Sequence, residues 1–383
     1  MVRALGIDPG TFSFDLCGLE DGEVVFEKVI PTAEVAKKPR LLVDGCREAL
    51  PLNLIVGPSG YGVSLTYLSD VDDPEAFAIT ALLLSRPKDI EEAYKRKELG
   101  AMVYKAIAVA VGQLKELMVP VCFVPGVIHL PTVPAERKVN RIDMGTADKM
   151  CVAVLGVYDQ ARRLNLSYSE VSFILVEMGF GYNAVIGVDR GRIVDGIGGT
   201  TGSIGFLAMG AVDAEVAQLI GKWERSDVFY GGVRDVTGKE MPEDFITSVG
   251  SNELCELAWR AMMESMEKSV AAMRVSVPKP REILFSGRLT KIPKIREELI
   301  SRLSKYGEVK PLGSLEGAKL TKETGQGYAI VADGIANGKF KDLIEWMQIK
   351  EASGTALDYI FHPKGKALRK LLDRWYPKLT EQT

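Results

Sequence analysis

An acid followed two residues later by a glycine, at the end of an apolar run, can do chemistry, and this chain has the pairing twice. Residues 4–11 read "ALGIDPGT": the run stops at Asp8, Gly10 follows, and Thr11 closes the turn. A glycine there lets the backbone approach a ligand with no Cβ in the way, and exposed turn amides can cradle a phosphate. Residues 173–181, "FILVEMGFG", repeat the arrangement with Glu177, Gly179 and Gly181. The pairs Asp8/Glu177, Gly10/Gly179, Gly18/Gly187 and Gly22/Gly191 share a single offset of 169 residues. The chain reads as internally duplicated.

The elements that must position these residues are legible around them. Each copy has three short apolar bursts, the last two joined by Asp21-Gly22 or by Arg190-Gly191. Such runs joined by tight turns predict an antiparallel meander. A third glycine turn, Gly287, follows the apolar run 283–286 and precedes an amphipathic helix. Between the copies, "DMGTADKMCVAVLGVYDQARRLNL" predicts a helix with Thr146 at its N-cap. Val152, Leu155, Tyr158 and Ala161 form one apolar face, and Lys149 and Arg162 are expected in solvent. Asp143, Thr146, Asp148 and Lys149 cluster at its start, where a helix N-terminus favours an anion.

The composition narrows the class. With 383 residues there is room for two domains, and a net charge of −3 offers no footprint for nucleic acid. The longest apolar runs fall short of the ~20 residues that span a membrane, and the apolar run beginning at residue 4 leaves no space for a signal peptide. Five cysteines without a CxxC pair suggest reduced core thiols and a cytoplasmic setting. Two histidines, His129 and His362, supply neither a histidine zinc site nor a serine–histidine route well. There is no GxxxxGK[ST], and the glycines at 179 and 181 precede a strand instead of a helix, against a dinucleotide fold.

A duplicated domain presenting two phosphate hairpins to one cleft resembles the acetate and sugar kinase, heat-shock chaperone and actin superfamily, and "GIDPGT" is similar to its first phosphate motif. The resemblance implies two ribonuclease-H-like α/β domains around ATP and Mg2+. It implies that Asp8 orients water on the metal and that Gly10 and Thr11 meet phosphates. Glu177, Gly179 and Gly181 would form the second hairpin, with Glu177 a second acid toward the metal. Gly287, with Arg288, would lie at the adenosine. Residues 129–210 are similar in order to the acetate and butyrate kinases, butyrate kinase most, through "LPTVPAERK"; "ETGQGYAIVADGIANGK" resembles its terminal helix. The chain looks close to a group described as predicted butyrate kinases. Gly198, Gly199, Thr200 and Gly202, in "GGTTGSIG", are then expected to close over the phosphates with unencumbered amides.

That branch implies a kinase of a short-chain carboxylic acid. Its domains are expected at 1–142, completed by 345–383, and at 143–344, with no nucleic acid or membrane partner and a homodimer left open. The departures are specific. Aspartate stands at residue 8 where acetate kinases have asparagine, and "VGPSGYG" at 56–62 and "AMGAVD" lack the arginines of the corresponding family loops. Asp143 and Met144 replace an aromatic residue and a histidine. Phosphoryl transfer needs cations around the moving group, and Arg137, Lys138, Arg141 and Lys149 are the nearby candidates. Asp143 or Asp148 could instead serve as base toward a hydroxyl acceptor, and a slow ATP-dependent switch is the third reading. The tail 364–379 predicts a basic amphipathic helix packed on the first domain, and 86–103 a solvated helix face.

Overall fold

The two repeated segments fold as the same meander. In the computed structural model, which describes residues 1–96 and 98–372 (the side chains of Leu99, Lys366 and Leu371 aside), the strands β1 (Arg3–Pro9), β2 (Ser13–Glu20) and β3 (Glu23–Pro31) are answered by β7, β8 and β9. The latter span Phe173–Met178, Asn183–Asp189 and Arg192–Ile197. Asp8 pairs with Asp15 and Glu177 with Ala184, and the third-strand pairings Leu19–Val24 and Val188–Ile193 also match at the same offset. Even the register break falls at Gly18/Leu19 in one copy and Gly187/Val188 in the other. Both hairpin turns hold their two central residues at positive φ, 49° and 81° for Asp21-Gly22, 50° and 67° for Arg190-Gly191.

Parallel strands complete each sheet. β4 (Leu54–Val56) and β10 (Glu282–Ser286) lie beside β1 and β7, followed by β6 (Val121–Phe123) and β11 (Val309–Pro311). A short β5 (Thr66–Tyr67) adds an edge to the first, giving orders β3-β2-β1-β4-β6-β5 and β11-β10-β7-β8-β9.

Helices then form layers. On the outer face of the first sheet lie α1 (Pro87–Lys95) and α2 (Leu99–Gln113). Between the sheets run α3 (Ala147–Leu164) and, later in the chain, α5 (Glu323–Ile335), while α4 (Glu253–Met273) covers the outer face of the second sheet. α5 packs on β1, β2 and β4 and against α3, and α3 packs on β7, β8 and β9. Strand alternation serves this division: Leu5 and Ile7 face the outer core, whereas Ala4 faces the central one. The central layer also explains a departure from the expected single apolar stripe of α3. Sheet and helix enclose it, so residues 149–157 are all buried, Lys149 included.

The last described stretch returns to the first sheet. Asn140 donates its N–H to the Tyr359 carbonyl at 2.8 Å, and Leu357 and Leu372 join the first sheet's outer core. The tail helix is seen as α6 (Lys366–Leu372); Trp375 and the rest of that expected helix lie outside the described residues. Cys17, Cys46, Cys122, Cys151 and Cys255 are buried and unpaired. Among the described residues no helix is long and apolar enough to cross a membrane.

Candidate active site

Asp8 and Glu177 occupy the penultimate positions of β1 and β7, both buried, and each is met by a lysine delivered by an interlobe helix. Lys322, at the N-cap of α5, places Nζ 2.9 Å from Asp8 Oδ2 and 3.5 Å from Asp15 Oδ1. Its backbone N–H donates to Asp15 Oδ2 at 2.7 Å, and the Thr324 hydroxyl donates to Asp8 Oδ2 at 2.6 Å. Lys149, in the first turn of α3, lies 2.7 Å from both Asp148 Oδ2 and Glu177 Oε2. The Thr146 hydroxyl donates to Asp148 instead of capping the helix amides.

The connection is crossed. α3 follows the first sheet in the chain but brings its lysine to the second sheet's acid; α5 follows the second and serves the first. Burial alone would depress both lysines, but the carboxylates outweigh it and raise them, so both stay charged. One lysine cannot balance two carboxylates, the buried Glu177 and the partly exposed Asp148. Asp148, against the pull of burial, is lowered by Lys149 and Thr146, whereas burial wins at Glu177 and raises it. Glu177 Oε2 receives no well-directed hydrogen bond despite its short distance to Lys149.

The tips of the two hairpins meet. A Cβ placed on Gly181 would stand 3.4 Å from the Thr11 hydroxyl. The rings of Phe12 and Phe180 lie 5.2 Å apart, and the Arg288 guanidinium sits 3.5 Å over Phe12. Gly10 lies beside Lys322 Nζ, where a Cβ would come within 2.5 Å of it, and Gly179 lies beside the Glu177 carboxylate. Gly287 is required at its place: its φ is +98°, and a Cβ would reach 2.6 Å from Glu177 Oε1. Asp8, Gly10, Thr11, Glu177, Gly179, Gly181, Gly287 and Arg288 therefore surround one region between the sheets.

The glycine-rich loop differs from expectation. Its amides are not all free, because Asp143 is buried against it. Asp143 Oδ2 accepts from the Thr200 N–H and hydroxyl, both at 3.1 Å, and Oδ1 from the Gly145 N–H at 3.0 Å. Gly198 lies so close to this carboxylate that a Cβ would overlap it, Gly199 packs on Tyr182, and Gly202 packs on Ile197. Burial nevertheless raises Asp143 above the ordinary range. The proposed cations also need correction. Arg141 is exposed, while Arg137 bonds the Val194 carbonyl at 2.6 Å and Lys138 the Leu130 carbonyl at 2.9 Å. Lys149 is the one of the four that joins the cluster, and it is buried there, not solvated.

Sequence reasoning did not select Lys322, Asp15 or Thr324, and it missed Arg225. Lys322 immediately precedes the quoted "ETGQGYAIVADGIANGK", which was the available signal. Arg225 had none. It opens a short 3-10 helix (Arg225–Phe229) of the second lobe and donates from Nη2 to the hydroxyls of Tyr61 and Tyr104, both at 2.9 Å, and from Nε to Ser85 Oγ at 3.2 Å. Residues 86–103 are correspondingly not just a solvated face: Arg86, Asp89 and Arg96 line a pocket with Arg225.

Two β-rich lobes that share a five-strand order, with helices crossing between them and acid–glycine hairpins facing one cleft, give a duplicated ribonuclease-H-like fold of the actin-like kind. Solved structures with that fold are similar to this one. A propionate kinase from Francisella tularensis matches with TM-score 0.55 at 13% identity, over 80% of this chain and 89% of that one. An acetate kinase from Entamoeba histolytica matches with TM-score 0.54 at 11% identity, over 80% and 87%. The acetate kinase of Porphyromonas gingivalis matches with TM-score 0.53 at 15% identity, over 80% and 88%. At these identities the likeness establishes the fold. No curated protein matches the chain. The chain belongs to the family DUF1464, described as proteins of unknown function, which matches residues 6–362.

Proposed function

We propose that this protein is an ATP- and magnesium-dependent kinase that phosphorylates a short-chain carboxylic acid in the manner of butyrate kinase, giving an acyl phosphate, or runs the reverse. Among the described residues no three His, Cys, Asp or Glu side chains group as metal ligands, so a cation gripped directly by the chain does not fit. A magnesium ion held mainly by phosphate oxygens and water does fit, with Asp8 to orient that water and the under-satisfied Glu177 Oε2 to accept from it. The bound nucleotide would supply the phosphoryl group.

The chain's own residues bind and orient. Gly10, Thr11, Gly179 and Gly181 offer turn amides to the phosphates, and Gly287 with Arg288 borders the adenosine side. Lys322 and Lys149 are the fixed cations near the transferring group, the service that positioning and charge neutralisation require. They replace the exposed Arg141.

One observation carries the carboxylate reading over a hydroxyl acceptor. Neither candidate base is poised to take a proton. Asp148 is held ionised by Lys149 and Thr146, which lower it against the pull of burial, and Asp143, although burial raises it, spends its oxygens on Gly145 and Thr200. A carboxylate acceptor needs no deprotonation at neutral pH.

Hydroxylamine tests this. It traps an acyl phosphate as a hydroxamate but leaves a phosphate ester alone. ATP, magnesium and acids of two to six carbons should give protein-dependent hydroxamate. If no acid does so while an alcohol releases ADP and Asp143→Asn or Asp148→Asn abolishes that release, the acceptor is a hydroxyl. If neither class exceeds basal hydrolysis, the switch reading replaces both.

A further inference from the structure

A cavity of about 270 Å³ opens between the lobes, bounded by α1 and α2 on one side and by residues 222–229 on the other. Its charged lining divides into four cations, Arg86, Arg96, Lys222 and Arg225, and three acids, Asp89, Glu92 and Glu224. Glu224 is taken by Arg96 and Lys222. Arg225 is different: among the described residues its partners are hydroxyls only, Tyr61, Tyr104 and Ser85. Its guanidinium lies 5.4 and 5.3 Å from the Tyr61 and Tyr104 ring centroids, and Nη1 takes no bond among the described residues. A half-buried guanidinium without a counter-ion is costly, and its planar fork suits a carboxylate.

The place is next to the cluster already described. The Ala147 N–H at the start of α3 donates to the Gly60 carbonyl at 3.0 Å, directly before Tyr61. On the other side Phe229 stacks edge-on to Tyr182 at 5.6 Å, and Tyr182 packs on Gly199, beside the Thr200 that binds Asp143. The uncharged walls combine three rings, Tyr104, Trp223 and Phe229, with small and aliphatic side chains of α1 and α2 and with Ser226. Such a volume is below the ~300 Å³ at which drug-sized ligands begin.

We infer that Arg225 holds the carboxylate of the acceptor, and that the ring-lined cavity takes a small monocarboxylic acid with a single aromatic ring in preference to an unbranched four-carbon acid. This rests on the carboxylate-kinase reading and changes its acceptor from a butyrate-like aliphatic acid to an aryl acid. Flat rings offer offset and edge contacts to an aryl group that the propyl chain of butyrate cannot return.

The probe is phenylacetate, with butyrate for comparison, on the full chain without nucleotide. Phenylglyoxal modifies accessible arginines, and peptide mass spectrometry reads Arg225 in the wild-type protein. Phenylacetate should protect Arg225 saturably, at a concentration at least tenfold lower than butyrate. It should also raise the melting temperature of wild type but not of Arg225→Met, while magnesium-ATP raises both. Equal Arg225 modification with and without acid, or an equal phenylacetate shift in Arg225→Met, overturns the inference. So does protection by butyrate at the lower concentration. Hydroxamate from aliphatic acids with Arg225 unprotected removes this assignment alone. Protection of Arg225 with no hydroxamate from any acid, phenylacetate included, keeps the acid site and removes the kinase reading.

Discussion

The turns after β1 and β7 share register, bulge and hairpin geometry, yet their acids keep different company. Asp8 is short, faces a second acid on its own sheet, Asp15, and shares Lys322 with it, while Thr324 supplies a hydroxyl. Glu177 is one methylene longer, and the acid sharing its lysine, Asp148, comes from the helix. The first lysine is 24% exposed and the second 11%. A repeated backbone can thus carry unlike chemistry when what faces it arrives from elsewhere in the chain. Both acids are buried; the Asp8 side has the more exposed lysine, suited to phosphate, whereas the Glu177 side is an ion pair whose Oε2 still lacks a well-directed donor.

The largest expected effect separates these roles in catalysis. Asp8→Asn should lower magnesium-dependent turnover by about 10³-fold, the several kcal/mol that an oriented metal–water contact supplies. Glu177→Gln should cost about tenfold or less, since it removes an acid already paired with Lys149. Steady-state kinetics at limiting magnesium read both. Equal losses would show that the two hairpins act alike.

Stability should rank the other way. Lys149→Met strands the buried Glu177 carboxylate and leaves the partly exposed Asp148 unpaired, and is expected to cost about 3–5 kcal/mol. Lys322→Met should cost about 1–2 kcal/mol, because Thr324 and the Lys322 amide still satisfy Asp8 and Asp15. Urea unfolding monitored by circular dichroism checks the order, and a larger loss at Lys322 would break it.

Acid should find the first lobe weaker. His129 is buried there, its pKa pushed down to about 4 by burial and then by Lys138, with the Gly126 backbone and Asp358 opposing. The unfolded chain binds that proton near 6.5, so between pH 6.5 and 4 the unfolded state holds more protons. Its contribution is complete above pH 6.5 and is lost as pH falls through that window, up to about 3 kcal/mol in all. The second lobe has no histidine. Hydrogen exchange at pH 7 and 4.5 should show protection falling first around residues 126–130, and His129→Gln should flatten the acid limb of stability against pH. An unaltered limb would dismiss the histidine.

How much of this was legible follows from what each feature depends on. The duplication could be read because a bulge glycine, a turn glycine and a strand-end acid must stand at set spacings within each copy, as Gly18, Gly22 and Asp8 do. The crossed lysines could not, because Lys322 reaches Asp8 only through the packing of α5 on β1. Lys149 looked solvated for the same reason: its side of α3 meets a sheet that chain order does not reveal. Arg141 misled because neighbours in sequence to a helix start need not face its anion site. Arg225 stands outside every motif, in a 3-10 turn too short to show periodicity, and the phenols it bonds, Tyr61 and Tyr104, belong to the other lobe.

The smallest effect concerns the contact that joins the two hairpins. Phe12 and Phe180 touch across the cleft, Phe180 continues to Phe206 at 5.6 Å, and Arg288 caps Phe12. If the hairpins bind one nucleotide together, this aromatic bridge helps hold them at the separation the phosphates require. Phe180→Ala removes about 1 kcal/mol of ring–ring attraction, equivalent to about a fivefold change in an equilibrium. The loss should fall on nucleotide KM, raising it about fivefold, while kcat stays near wild type because Asp8, Lys149 and Lys322 keep their partners. Phe12→Ala should do slightly more, since it also frees Arg288 from the ring it covers. A fall in kcat with unchanged KM would mean that the bridge positions the reacting groups and not the nucleotide, and the two lobes would then differ less than their acids suggest.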